Sequence, residues 1–352
     1  MVRRSLSRVL VKLRNAAAWA FWRFKSKVFP PFDIQMVPDT KNFLTWHKRP
    51  RSMDAVPTLN VPANLSEFAI VMQGAILTKA DFTLETCKFY RRAFPEAELI
   101  VSTWDTEDPE VLTSIEREGV TIITSTKPLN AGISNCNLQL ASTHTGLLAA
   151  RRNGAKWAMK TRTDQRIYSP TALSFFQNML KLFPFEPEKS PRGSLLNHRL
   201  LAVSLDTFKY RLFGLSDFLM FGQIDDMLTY WGVALDERVE IPGGAGLSTA
   251  REYSKKEIVE VYFMTNFLRR MGWEIQWTLE NYRSALANYF VVVDASSIDL
   301  YWPKYSSREH LWRNYDFSLL EPVYFSDWLQ YHLAAKGHLV APGEEDYLDQ
   351  QI

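Results

Sequence analysis

Lys156 to Arg166, KWAMKTRTDQR, is the stretch on which the reading of the fold turns. Trp157, Ala158 and Met159 read as a short buried strand, and Lys160, Arg162, Asp164 and Arg166 follow at two-residue spacing. In an extended chain that spacing puts all four charges on one face. Four ionised groups on one side of a strand cannot sit in a core without partners. The carboxyl end of a buried strand opening into a crevice is where open α/β sheets bind ligands. Cations gathered around one carboxylate suit a polyanionic ligand such as a diphosphate, with or without a metal ion. The competing structural reading is a salt-bridged strand end on the surface.

Outward from this strand the chain alternates strand and helix. Phe68 to Ile76 (FAIVMQGAI) is a continuous apolar run, as expected of a strand covered on both faces. Thr83, Cys87, Tyr90 and Phe94 then fall at helical spacing, and Pro95 ends that helix. Leu99 to Trp104 reads as the second strand, and Asp108-Pro109 opens a helix that Gly119 closes. Val120 to Ser125 is the third strand, and a helix from about Asn135 to Asn153-Gly154 feeds the Lys156 strand. Ser169-Pro170 starts the next helix. Serial β-α units predict an α/β class with a mostly parallel sheet covered on both faces.

Several common nucleotide folds are excluded. The first strand is followed by a single Gly74, without a G-x-G-x-x-G fingerprint or a P-loop, and no G-x-S-x-G elbow occurs. The 352 residues are 46% hydrophobic and 13% aromatic, enough for a sizeable core. A net charge of +2 gives no whole-molecule argument for nucleic-acid binding, so none is expected. Cys87 and Cys136 each fall within a predicted helix rather than at disulfide or metal spacing. With no secretory signal pattern, the expected setting is the cytoplasm.

The positive charge is concentrated at the start. Residues 1–28 hold eight lysines and arginines and no acid, and Leu6, Leu10, Leu13, Ala17, Phe21, Phe24 and Val28 share one helical face. Arg4, Arg8, Lys12, Arg23 and Lys27 lie roughly opposite, with Trp19 and Trp22 near the boundary. This pattern predicts a helix lying on an anionic membrane surface rather than spanning it, because its uncharged run is too short. Pro30-Pro31 ends the helix. The expected organisation is therefore an amphipathic helix over 1–30, a linker over 31–62, a nucleotide-binding domain over 63–300 and an aromatic-rich extension over 301–352.

On the helix before the KTRTDQR strand, Asn135, Gln139, Ser142 and Gly146 form a small polar stripe. Leu138, Ala141, Thr145 and Leu148 form the stripe expected to pack on the sheet. The amides of Asn135 and Gln139 are candidates for reading a base or sugar, and Gly146 would allow close approach of that ligand. His144 reads as a surface residue.

The run NCNLQLASTHTGLLAARRNGAKWAMKTRTDQRIY, followed by GLSDFLMFGQIDDMLTYW and YWPKY, resembles the WavE lipopolysaccharide-synthesis family, over roughly Phe68 to Tyr305. The resemblance implies an A-type (GT-A-like) glycosyltransferase: one α/β domain whose fourth-strand motif holds the diphosphate of a nucleotide-sugar donor. In such enzymes two acids usually flank one residue. Here Arg162-Thr163-Asp164 occupies that motif, so Asp164 matches the second acid and Arg162 replaces the first. Asp164 is then the candidate ligand for Mg²⁺ or Mn²⁺, while Lys160, Arg162 and Arg166 are candidate diphosphate contacts. The resemblance extends to Glu260-Val261-Tyr262-Phe263, an acid-then-aromatic helix start whose acid serves the acceptor. Glu260 is thus the candidate general base and Glu257 its rival, while Asp217, at the entrance of a buried strand, is a further site candidate. Asp225 and Asp226 read as dipole partners in a helix's first turn. Ile241 to Ala250 (IPGGAGLSTA) suits a lid or a plain surface turn. The rings from Trp302 to Tyr324, interleaved with Lys304, Arg308, His310 and Arg313, suit sugar stacking or a packed subdomain. The implied function is sugar transfer to a lipopolysaccharide-core or related glycan or glycolipid at the cytoplasmic face of the inner membrane. A sugar nucleotidyltransferase and a non-catalytic membrane-associated scaffold are the alternatives, the former weakened by GAILTKADF being a poor triphosphate loop.

Overall fold

The computed structural model describes residues 65–190, 195–241, 243, 249–303, 321–338 and 344–349. The basic stretch 1–28, the linker to residue 62 and most of the 241–250 segment lie outside the described residues. So do Lys304, Tyr305, Arg308, His310, Trp312, Arg313 and Tyr315.

Among the described residues the strands are β1 (Phe68–Gln73), β2 (Glu98–Trp104), β3 (Thr121–Ser125), β4 (Trp157–Arg162), β5 (Arg166–Ile167), β6 (Leu200–Val203), β7 (Met220–Gln223), β8 (Phe290–Val293) and β9 (Leu300–Tyr301). Seven of them form one sheet in the order β3-β2-β1-β4-β7-β6-β8, and β5 pairs with β9 in a separate two-stranded ribbon. β1 runs parallel to β2 and β4, β2 to β3, and β6 to β8, whereas β7 is antiparallel to both β4 and β6. The α/β class and mostly parallel sheet agree with the sequence. Every residue of β1 (FAIVMQ), β6 (LLAV) and β8 (FVVV) is buried, as strands covered on both faces require.

The helices are α1 (Phe82–Ala93), α2 (Pro109–Glu116), α3 (Cys136–Arg152), α4 (Ala172–Leu182), α5 (Ile224–Trp231), α6 (Ala250–Lys255), α7 (Glu260–Arg270), α8 (Leu279–Tyr289) and α9 (Phe325–Ala335). Asp108 caps α2 as its sequence predicts: its carboxylate accepts from the Glu110 amide at 2.9 Å, and Pro109 takes the first helical position. No described helix is long and apolar enough to cross a membrane. In α9 Trp328 is fully buried, and its indole N–H donates to the Leu286 carbonyl of α8 at 3.3 Å, so this C-terminal helix shares the main core.

α3 is rotated relative to the sequence expectation. Ser142 and Gly146 are buried against the sheet, while Leu148 is 36% exposed. A Cβ on Gly146 would stand 2.5 Å from Val71 Cγ1 and 3.0 Å from Ser102 Cβ, so the missing side chain lets the helix approach β1 and β2 closely. The polar groups on this face are satisfied internally. Ser142 Oγ donates to Gln73 Oε1 at 2.9 Å, and Ser102 Oγ donates to the Ser142 carbonyl at 2.6 Å. The close approach at Gly146 is therefore to the protein's own strands, not to a ligand.

Candidate active site

The sheet order creates the site. The chain leaves β1 for β2 on one side, while β4 joins β1 on the other, so the carboxyl ends of β1 and β4 face a topological switch point. β6 runs in the same direction as β4, and β7 opposes both. One edge of the sheet therefore gathers the ends of β1, β4 and β6 together with the entrance to β7.

β4 stops at Arg162, and a turn follows. The Thr163 amide donates to the Gln73 carbonyl at 3.1 Å, Thr163 Oγ1 donates to the Ala75 carbonyl, and Thr83 Oγ1 of α1 donates to the Thr163 carbonyl at 2.9 Å. Gly74 makes room: its φ is +112°, and a Cβ there would meet Thr163 Oγ1 at 3.4 Å. The turn that carries Asp164 is thus latched to the end of β1 and to the start of α1.

This turn breaks the two-residue alternation after Arg162, and Arg166 leaves the other three charges. Arg162 and Asp164 face each other, with Nε to Oδ1 at 2.8 Å and Nη2 to Oδ2 at 3.1 Å, both partly exposed. Burial raises the Asp164 pKa, but the hydrogen bonds and charge of Arg162, helped by Trp302, outweigh it and hold the carboxyl below its ordinary value. Trp302 arrives because β9 pairs antiparallel with β5, which returns the chain to the turn. Its ring lies 5.0 Å from the Arg162 guanidinium and packs edge-on against Phe218 at 4.4 Å. Arg166, by contrast, is buried toward α1. Its Nε donates to Thr86 Oγ1 at 3.0 Å and Nη2 to the Phe82 carbonyl at 3.2 Å, with the guanidinium 4.6 Å from the Phe82 ring. It braces the turn rather than facing the switch-point crevice.

Lys160, two residues before Arg162 on β4, is fully buried. It donates to the Asp217 carbonyl and to Gln139 Oε1, the latter at 3.3 Å, with its ammonium 4.6 Å from the Trp231 ring centre. The Gln139 amide N–H donates in turn to Asp217 Oδ2, so one side chain bridges the cation and the acid. Burial pushes the Lys160 ammonium down to about 7, and burial likewise raises Asp217, against the opposing pull of Lys160 and Arg162. Gln139 therefore joins the site, whereas Asn135 is exposed at the start of α3 in a left-handed conformation, without a side-chain capping bond.

A second cluster completes the edge. Asp206, just beyond β6, and Glu260, first residue of α7, flank Arg211, whose Nη1 stands 3.8 Å from Asp206 Oδ1 and 3.7 Å from Glu260 Oε2. Burial, then Asp206 and Asp217, push the Glu260 carboxyl well above its ordinary value, and it is hydrogen-bonded to Asp206. Glu257 lies apart, accepting from Nη1 and Nη2 of Arg269. Asp226 accepts the Asn197 and His198 amides at 2.8 and 3.0 Å, and Asp225 pairs with Arg151 at 3.3 Å, so both are structural. Sequence reasoning missed Asp206, Arg211 and the position of Trp302. The signal for Asp206 was available: it is an acid just past an apolar strand, the same pattern that singled out Asp164.

Both oxygens of the Asp164 carboxylate accept from Arg162, and among the described residues no three His, Cys, Asp or Glu side chains are grouped to hold a metal ion. Cys87 and Cys136 are buried free thiols.

None of the curated proteins compared with this sequence matches it. A family model described as WavE lipopolysaccharide synthesis matches residues 68–338, a span that contains the sheet, the Arg162–Asp164 turn and the Asp206–Glu260 cluster. The chain belongs to the WavE lipopolysaccharide synthesis family.

Proposed function

We propose that the protein is a GT-A-like glycosyltransferase, moving a sugar from a nucleotide-sugar donor to a lipopolysaccharide-core or related surface-glycan acceptor at the cytoplasmic face of the inner membrane. The observation that carries this reading is the Arg162–Asp164 pair, latched to β1 at the switch point of a mostly parallel sheet, with Trp302 against it. A planar guanidinium matches two phosphate oxygens at once, so Arg162 would take the diphosphate while Asp164 orients the guanidinium. Charge that develops on the leaving diphosphate would be met by a fixed cation, the arrangement that gives electrostatic catalysis its strength. Lys160, Asp217 and Gln139 form the buried floor between this corner and the acceptor-side carboxyl groups around Glu260. Family membership supports the assignment to lipopolysaccharide biosynthesis. Residues 1–28 would hold the enzyme against the anionic leaflet that carries a lipid-linked acceptor.

The test is a panel of nucleotide sugars screened for thermal stabilisation, since a ligand at 100 times its Kd stabilises by about 2.7 kcal/mol. At least one nucleotide sugar should raise the melting temperature, with EDTA in place of Mn²⁺ making no difference. Asp164→Ala should keep its fold and lose transfer. A panel without any stabilising member, or normal turnover by folded Asp164→Ala, would overturn the reading.

A further inference from the structure

The proposed donor corner does not account for the cluster at the end of β6. Asp206 sits there with φ +68°, in the left-handed region that aspartate and asparagine enter more readily than other non-glycine residues. Arg211 ties the two acids together: its Nη1 stands 3.8 Å from Asp206 and 3.7 Å from Glu260, and its guanidinium lies 4.6 Å from the Phe208 ring and 5.7 Å from the Tyr253 ring. The side chains of Asp206, Glu260 and Arg211 are 12%, 14% and 18% exposed, so the cluster is screened from bulk water yet reachable from outside.

A second observation is independent of these acids. Tyr230 is fully buried and its hydroxyl has no hydrogen-bond partner among the described residues. Asp217 Oδ1 is buried and equally unpartnered. Burial first, then the charges of Asp217 and Glu260, raise the Tyr230 phenol above its ordinary value. A buried polar atom without a partner calls for a hydrogen-bonding occupant, a water or a ligand hydroxyl. Asp217 also feels both Arg162 and Asp206, which puts that occupant between the donor corner and the Arg211 cluster.

We propose that this cluster is the acceptor-hydroxyl subsite and that Asp206, held beside Glu260 by Arg211, is the carboxylate that takes the acceptor's proton. The proposal rests on the sugar-transfer reading. In the step, the acceptor O–H bond breaks and its proton passes to an Asp206 oxygen. The freed oxygen pair forms the bond to the anomeric carbon. The bond from that carbon to the diphosphate oxygen breaks, and its electron pair leaves on the phosphate beside Arg162. Two adjacent carboxyl groups do not both ionise easily, so Glu260 keeps a proton, donates it in a hydrogen bond to Asp206 and fixes the accepting oxygen.

Asp206→Asn is the decisive variant because asparagine tolerates the left-handed backbone as well as aspartate does. In the full-length protein, supplied with the nucleotide sugar that stabilises best and a lipopolysaccharide-core oligosaccharide, kcat should fall about 10²–10⁴-fold. Affinity for the matching nucleoside diphosphate should stay unchanged. Glu260→Gln, which mimics the protonated acid, should cost less. The KM for the acceptor oligosaccharide should stay unchanged, whereas a merely structural role would raise it together with the loss of kcat. Wild-type turnover by Asp206→Asn, a raised acceptor KM, or a larger loss in Glu260→Gln would overturn the assignment. A wild-type protein that neither binds nor transfers any nucleotide sugar would instead overturn the reading on which it rests.

Discussion

Asp164 keeps its charge because Arg162 lies beside it, and that dependence is measurable. Its pKa is lower folded than unfolded, so the pair's stabilisation is fully present above the ordinary aspartate value of about 3.9 and is lost as pH falls through the lowered value. In Arg162→Ala the burial remains without its counter-charge, so the Asp164 pKa should rise. Nucleoside-diphosphate affinity, measured by calorimetry across pH, should drop by about 1.5–3 kcal/mol for the lost charge-assisted contact. Lys160 has the opposite sign. Its pKa falls from 10.5 to about 7, so between those values the unfolded chain binds more protons and wild-type stability gains as pH rises. Urea midpoints taken at about pH 7 and about pH 9.5 should therefore differ less in Lys160→Met than in wild type. The charges themselves were legible in KTRTDQR. Where the strand stops was not, because two-residue spacing looks the same in a strand and in the turn after it. That is why Arg166 was expected beside Asp164 and lies against Thr86 and Phe82 instead.

At the scale of elements, α3 shows how a helix can bury the stripe that looks polar. Its Ser142 and Gly146 are small, and smallness governs when a helix must lie close to two strands at once. The leucine spacing suggested the other face, since periodicity ranks side chains by polarity and not by the gap they must fill. Gly146→Val should therefore destabilise by about 1–3 kcal/mol through overpacking against Val71 and Ser102. Helix propensity alone predicts a gain for this change, so the shift in the urea midpoint separates the two effects. The strands were far more legible. FAIVMQ, LIVSTW and VTIITS each announced one, because β-branched and aromatic runs bounded by Pro, Gly and Asp have few other uses.

At the scale of the whole molecule, the sequence implied a parallel sheet but neither its order nor the reversal of β7. Both depend on which strands pair after long crossovers, and no local residue pattern encodes that. The reversal brings the chain into β7 at the edge where β1 and β4 end, and it leaves Asp217 there. The other whole-molecule expectation concerns residues 1–28. Full-length protein should bind anionic vesicles with an affinity that falls as salt rises, since these charges act within a Debye length of about 8 Å at physiological ionic strength. Glutamine at Arg4, Arg8 and Lys12 should weaken co-sedimentation with the vesicles and leave transfer to a soluble acceptor intact. Loss of that transfer would tie the segment to the catalytic domain instead.

The ribbon of β5 and β9 joins residues roughly 130 positions apart. During synthesis, β1 to β4 and the Arg162–Asp164 turn emerge long before Trp302 does. The nascent chain can lay down most of its sheet early, but β5 must wait without a partner for the chain's last fifth. On the sugar-transfer reading, the proposed donor corner is completed only as translation ends.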